Sequence, residues 1–270
     1  MGFYFSNKND GNVATHLGCE ACSWQARERL RRRLGVEFLV FLHQIHSDLA
    51  VDLEAFLAQN AAFASEAKSN LVLTILSQKL LQIPRFKLST LRKNAAKTAR
   101  LTNFFNPNCL NFNPQFPRIF ELNADADAVF TTLRGVGVCV MVADCAPVLL
   151  TSAAHAAAIH AGRRGVFAKI ISKTLGKMGA QKGVKAAIGP HICAKCYEVK
   201  GVDCAGFEAF KKGDFLDLGG ALLAEFDAKG VKEVESVLVC THCGEGFFSY
   251  RNFCKNKERA DERFCGVAWL

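Results

Sequence analysis

The 270-residue chain contains no uninterrupted stretch of 18 apolar residues, so no helix of it is expected to cross a membrane. Its first residues, MGFYFSNKND, lack the basic segment followed by an apolar run that marks a secretory signal, and a cytoplasmic protein is expected. Met1, Gly2 and Ser6 formally fit a myristoylation pattern, but so short a motif often matches by chance. Neither a zinc-finger nor an RNP-like motif accompanies the formal net charge of +9, so the basic surface reads as a solvated face and nucleic acid is not an expected partner. No GxGxxG follows the first strand, which excludes a doubly wound dinucleotide-binding fold. Histidine is sparse, with seven residues in all.

Cysteine is abundant by contrast. Twelve cysteines without a secretory signal argue for reduced thiols, core packing or metal, and against a disulfide framework. Three CxxC pairs stand out: Cys19/Cys22, Cys193/Cys196 and Cys240/Cys243. Two such pairs can close a tetrahedral structural zinc site, although reduced thiols serving in packing are the simpler expectation. Half of the residues are hydrophobic, and a chain of this length is within reach of one large α/β core.

The rest of the chain is organised around residues 135–165. Residues 137–142 read as a buried strand, rich in valine and without helical spacing, that runs into Ala143-Asp144-Cys145. A second apolar run over 153–159 delivers His160, followed by Ala161-Gly162-Arg163-Arg164-Gly165. A strand-end cysteine or a lone histidine is ordinarily a core residue. Together, each closing an apolar run, they suit either a metal or a Cys/His nucleophilic site, because both need a neighbour that stabilises a thiolate.

Elsewhere the pattern predicts a basic helix over 21–34 ending at Gly35, with its arginines on a solvated face. A strand over 38–42 leads into His43-Gln44-Ile45-His46, where strand alternation would point Gln44 and His46 to one side. Further strands are expected over 128–132, 184–188 and 234–239, and helices over 166–178, 204–212 and 218–229. Asp125 and Asp127, spaced by two, can act as general acid and base, but are expected to shape the turn before the strand and to hold backbone donors. Helical spacing recurs over 50–68 and 71–81, and residues 103–117 form an Asn/Pro/Phe loop.

Four ordered blocks carry a resemblance. ADCAPVLL, AAIHAGRRG, AIGPHICAKCYEV and FFSYRN are similar to the ADCxPxLL, HAGWRG, GPxIGxxxYEV and FFSYRR blocks of one family. That family is variously catalogued as laccase-like polyphenol oxidases, YfiH-type purine nucleoside phosphorylases and peptidoglycan editing factors. The resemblance covers about half the chain, from Ala124 onward, with a weaker match before Ser47 in which His46 corresponds to the histidine of a QVHG block.

It implies an α/β fold, a layered α/β sandwich with mixed sheets, as one domain over 1–270 interrupted by a poorly matching, basic insert at about 51–122. From residue 51 to 123 there are nine Lys and Arg against four Asp and Glu, a net +5 of the total +9. The resemblance also carries three metal ligands onto His46, Cys145 and His160, with zinc the expected metal and copper its rival. Two imidazoles and one thiolate leave a fourth position open, as in catalytic zinc sites. Cys145, His160 and Arg164 are the expected catalytic residues, and Gln44, Arg164, Tyr250 and Arg251 the expected contacts to substrate or phosphate. The implied activity is zinc-dependent phosphorolysis of purine nucleosides (adenosine, inosine, guanosine or methylthioadenosine), accompanied by adenosine deamination. The alternatives are an editing amidase acting on peptidoglycan precursors and a copper-dependent polyphenol oxidase. Seven histidines are too few for a multicopper oxidase.

The chain departs from the family pattern in places. Arg163 stands where the blocks have Trp, removing an aromatic surface and adding a cation. His191 replaces a small residue and is expected to be structural. Asn252 replaces the second Arg of FFSYRR, and Glu262 the Gly before Arg263.

Overall fold

The computed structural model describes residues 1–60, 110–111, 113–179, 183–202, 204, 206–256 and 261–270. Two six-stranded mixed sheets make up its centre. The first has the order β1 (Gly2–Phe5), β12 (Phe264–Trp269), β7 (Val136–Val142), β2 (Phe38–His43), β5 (Ile119–Asp125) and β4 (Leu110–Asn111). The second runs β11 (Glu233–Ser236), β10 (Lys185–Ile188), β8 (Ala146–Thr151), β9 (Ala156–Ala161), β6 (Ala128–Thr131) and β3 (Ala50–Asp52).

Alternation along the strands assigns side chains to three hydrophobic layers. From β7, Val136, Val138 and Val140 meet Phe38, Val40 and Leu42 of β2 between the sheets, where Leu149, Ala156 and Ala158 of the second sheet face them. The alternate residues Cys139, Leu39 and Phe41 turn outward and are covered by Trp24 and Leu30 of the helix Glu20–Leu34. On the far side, Val148, Leu150, Ala157 and Ile159 pack under Ile171 and Leu175 of the helix Ile170–Met178 and Leu222 and Phe226 of the helix Leu218–Ala228. The result is a helix, sheet, sheet, helix sandwich. Because both faces of the central strands are buried, they read as continuous apolar runs and not as polar/apolar alternation. Gly137 makes room in this packing, since a Cβ there would lie 2.7 Å from Leu39 Cδ2 and displace it. Among the described residues no helix is long and apolar enough to cross a membrane.

Several local expectations need correction. The expected helix over 166–178 is two helices, Arg163–Phe167 and Ile170–Met178, separated where Lys169 adopts a left-handed conformation (φ 63°). The first is fixed by Gly165, whose missing side chain admits the Ser47 carbonyl; a Cβ would lie 2.7 Å from it. The second lies along the sheet. The expected helix over 204–212 is a 3-10 turn, Glu208–Phe210, preceded by Gly206 at φ 83° packed against the Phe167 ring. Strand β8 follows Cys145 directly, and His160 sits within β9 instead of after it. The strand expected over 234–239 ends at Ser236.

Both ends of the stretch 51–122 belong to the sandwich. Residues 50–52 form β3, not helix, and pair in parallel with β6, while β5 pairs in parallel with β2. Between these strands the helix Leu53–Asn60 buries Leu53 and Leu57 in the layer between the sheets. The helical expectations beyond residue 60 and most of the Asn/Pro/Phe loop lie outside the described residues.

The first helix also departs from expectation, because its arginines are not all solvated. Arg27 is fully buried, with Nη1 2.7 Å from Glu121 Oε1 of β5, Nε donating to the Val13 carbonyl, and its guanidinium stacked 4.0 Å over Phe41. A cation held this way is tolerated only while its partner remains. Replacing Glu121 with Ala should therefore cost about 3 kcal/mol in chemical denaturation, with the double change Arg27→Met/Glu121→Leu recovering most of it. Equal losses in the two variants would show that the pair is not what holds Arg27.

The dispensable part of the insert is accordingly expected to be narrower than 51–122. Exchanging 61–109 for a Gly/Ser linker should give a folded, metal-binding protein by circular dichroism and metal analysis, whereas deleting 119–125 should not. An unfolded product from the first exchange would assign those residues to the core.

Candidate active site

Parallel pairing of β2 with β7 brings their C-terminal ends to the same edge of the first sheet. The segments that follow, His43 to His46 and Ala143 to Cys145, therefore emerge side by side. In the second sheet, Pro147 of β8 is in register with His160 of β9, so the residue preceding β8, Cys145, lies beside His160. The ligand atoms of His46, Cys145 and His160 all lie within 4.8 Å of one another. The two imidazoles meet edge to face with ring centroids 4.7 Å apart.

Strand alternation does not set His46. Gln44, Ile45 and His46 lie beyond β2, and His46 takes a left-handed conformation (φ 62°). Asp127 imposes that turn. Its fully buried carboxylate accepts from the backbone N–H groups of Ile45 (3.3 Å), His46 (3.1 Å) and Ser47 (2.5 Å) and from the Ser47 hydroxyl (2.8 Å). The same carboxylate takes His160 Nδ1 at 2.6 Å. Asp127 thus fulfils the turn-shaping expectation and also orients a candidate ligand, leaving Nε2 of His160 for the cluster. Asp125 pairs instead with the exposed His43 at 3.2 Å.

Electrostatics of the cluster favour a thiolate. Burial opposes ionisation of Cys145, but the His160 charge and hydrogen bonds from His160 and His46 outweigh it and hold the thiol down to about 6. Burial likewise disfavours a charged His160, yet Cys145 and Asp127 together push its imidazole up. Asp127 is held down to about 2 against its own burial, mainly by His160 and then Ser47.

Space for a metal is provided by Gly162. A Cβ at this position would stand 3.1 Å from Cys145 Sγ, 3.4 Å from His46 Cδ2 and 3.6 Å from His160 Cε1. Two imidazoles and a thiolate, one imidazole oriented by a buried carboxylate, with no side chain over them, fit a zinc or copper ion.

The cluster opens on a cavity of about 980 Å³ lined by Gln44, Asp144, Tyr197, Tyr250, Arg251 and Arg263 among others. Gln44 uses its amide to clamp the backbone of Met141, donating to its carbonyl and accepting from its N–H, both at 2.7 Å. Both ends of its amide are thus engaged by the strand that leads to Cys145. Arg164 is exposed and absent from the lining, whereas Arg251 and Tyr250 belong to it. Arg251 donates to the Glu198 carbonyl at 3.0 Å and lies 5.8 Å over Tyr197, while Arg263 is paired with Asp261. His191 is structural, with Nδ1 2.8 Å from the Gly189 carbonyl.

Sequence reasoning passed over Asp144. It adopts φ 92° and accepts from Thr241 Oγ1 at 2.7 Å and from the Arg251 N–H at 2.6 Å, tying the segment that carries Cys145 to the FFSYR segment. Its place in ADCAPVLL, directly before the cysteine, was the available signal.

A family described as multi-copper polyphenol oxidoreductase laccase matches residues 89–270, two thirds of the chain. The protein belongs to this family. Within it, the chain is 37% identical over 159 residues to a purine nucleoside phosphorylase of Corynebacterium glutamicum, covering 53% of this chain and 63% of that protein. It is 33% identical over 167 residues to an adenosine deaminase from an unknown prokaryotic organism, covering 52% and 61%. The aligned stretches thus span less than two thirds of these relatives' lengths. A solved Neisseria meningitidis protein shares the fold with a TM-score of 0.61 at 24% identity, covering 96% of this chain and 86% of that one.

The importance of Asp127 can be tested directly. Asp127→Asn keeps the shape but removes the charge that orients His160, and should lower zinc affinity about 10- to 100-fold in a competition titration. An unchanged affinity would mean that His160 needs no such partner.

Proposed function

We propose that this family member is a zinc-dependent purine nucleoside phosphorylase. It would cleave adenosine with phosphate to adenine and ribose 1-phosphate, and deaminate adenosine to inosine more slowly. The observation that carries this reading is the His46/Cys145/His160 cluster opening into a cavity walled by tyrosines and arginines. Further support comes from the relatives named for these two activities.

His46, Cys145 and His160 would hold a zinc ion, and the chemistry it would supply when bound is Lewis-acid polarisation of a substrate oxygen. The chain's own groups account for the rest. Asp127 fixes the His160 tautomer through Nδ1, and Gly162 leaves the approach to the cluster clear. Tyr197 and Tyr250 offer aromatic faces to a purine, compensating for the Trp that Arg163 replaces. Arg251 is the better candidate for phosphate, because the partner of its guanidinium is a neutral carbonyl while Arg263 is matched to a carboxylate. The exposed position of Arg164 moves the phosphate role away from it.

Purified protein should consume adenosine in a phosphate-dependent manner. Arg251→Lys, which keeps the charge but loses the planar fork, should raise the KM for phosphate about tenfold with metal content and deamination little changed. The paired Cys145 and His160 also suit amide cleavage by a thiolate. If no purine nucleoside is consumed at any phosphate concentration while an amino acid is released from a peptidoglycan precursor, the editing hydrolase replaces the phosphorylase. Turnover of phenols only by the copper-loaded form would instead favour the oxidase.

A further inference from the structure

Of the three CxxC pairs, Cys19 and Cys22 form a disulfide at the start of the first helix, contrary to the expectation of reduced thiols. The other two pairs meet. Cys193, Cys196, Cys240 and Cys243 place their four sulfurs within 4.8 Å of one another, although 43 residues separate Cys196 from Cys240. All four are free thiols, three half-buried and Cys243 exposed, so apolar packing does not explain the gathering. None of them lines the cavity of the active site.

Each pair forms a tight turn. Cys196 and Tyr197 donate their N–H groups to the Cys193 carbonyl at 2.9 and 3.0 Å, and Gly244 donates to the Cys240 carbonyl at 2.9 Å. That second turn needs its glycine, because a Cβ on Gly244 would lie 2.4 Å from the Cys240 oxygen. The backbone N–H groups of Cys193 and Cys243 point at Cys240 Sγ, at 3.2 and 3.5 Å, as suits a sulfur carrying negative charge. Four sulfurs about 2.3 Å from a tetrahedral zinc stand roughly 3.8 Å apart, which is within the 4.8 Å that bounds their separations here.

We propose that Cys193, Cys196, Cys240 and Cys243 bind a structural zinc, closed to substrate and separate from the His46/Cys145/His160 cluster. Among the described residues, one isolated bridge, between His191 and Cys240, pairs the backbones of the two CxxC segments, and Leu238 beside it is 89% exposed. Both segments reach Asp144, the neighbour of Cys145. Ile192 donates its N–H to the Asp144 carbonyl at 2.9 Å, and Thr241 and Arg251 bond its carboxylate. The metal thereby fixes the wall that carries Tyr197 and Arg251.

The test uses the full chain, purified under reducing conditions and supplied with zinc. Cys145→Ala protein should retain one zinc per chain, with an X-ray absorption shell of four sulfurs, and Cys196→Ser/Cys243→Ser should lose that zinc while keeping the other. Should the double variant fail to fold, the absorption spectrum of the Cys145→Ala protein still decides. A Cys145→Ala protein without zinc, one whose zinc has nitrogen or oxygen ligands, iron in place of zinc, or disulfides joining the four cysteines would each overturn the assignment. None of these results depends on whether the protein turns over nucleosides.

Discussion

The buried carboxylate of Asp127 is the contact on which the site depends. It gathers three consecutive backbone N–H groups, a hydroxyl and an imidazole around one side chain that has no exposure to water. An anion so placed would be costly to bury if its oxygens were unmatched, and five donors make it favourable. The same donors come from both sheets: Ile45, His46 and Ser47 follow β2 of the first, while His160 belongs to β9 of the second. One side chain therefore fixes the relative position of two candidate metal ligands and bends the backbone of His46 into a conformation it would not adopt alone.

Small residues complete what Asp127 begins. The HAGRRG block has its glycines where other segments come close, Gly162 over the three ligands and Gly165 under the Ser47 carbonyl. Asp144 plays a matching part on the other side of Cys145, also in a left-handed conformation and also fully engaged by neighbouring segments. Of the three non-glycine residues with positive φ among those described, His46 and Asp144 both sit at this cluster. Concentration of such conformations beside a cluster of ligands is how a fold holds a site open for a group it must bind.

Away from the site, the sandwich is fastened by polar contacts that apolar patterning does not reveal. Arg27 anchors the first helix to β5 through Glu121, and Glu225 accepts from the N–H and hydroxyl of Ser172, joining the two helices on the opposite face. Lys173 reaches across to Asp48, in the segment that follows His46. Each outer layer is thus tied to strands or loops that lead into the site.

The sequence by itself determined a mixed α/β domain and its central strands, because buried strands are long valine- and alanine-rich runs, and its four ordered blocks carried the resemblance that implied the layered sandwich and the family. It also determined which residue types can act as ligands. It did not determine that residues 50–52 and 119–125 belong to the sheets, since their partners lie far away in the chain and their composition resembles that of an insert. Nor did local pattern reveal that the helix over 166–178 breaks at Lys169, a non-glycine residue in a left-handed conformation. Only the tertiary structure decided that Arg164 is outside the cavity lining while Arg251 belongs to it, that Gln44 clamps Met141, and that two CxxC pairs converge. Each of these depends on which distant backbone a side chain meets, a quantity that spacing along one strand or helix does not contain.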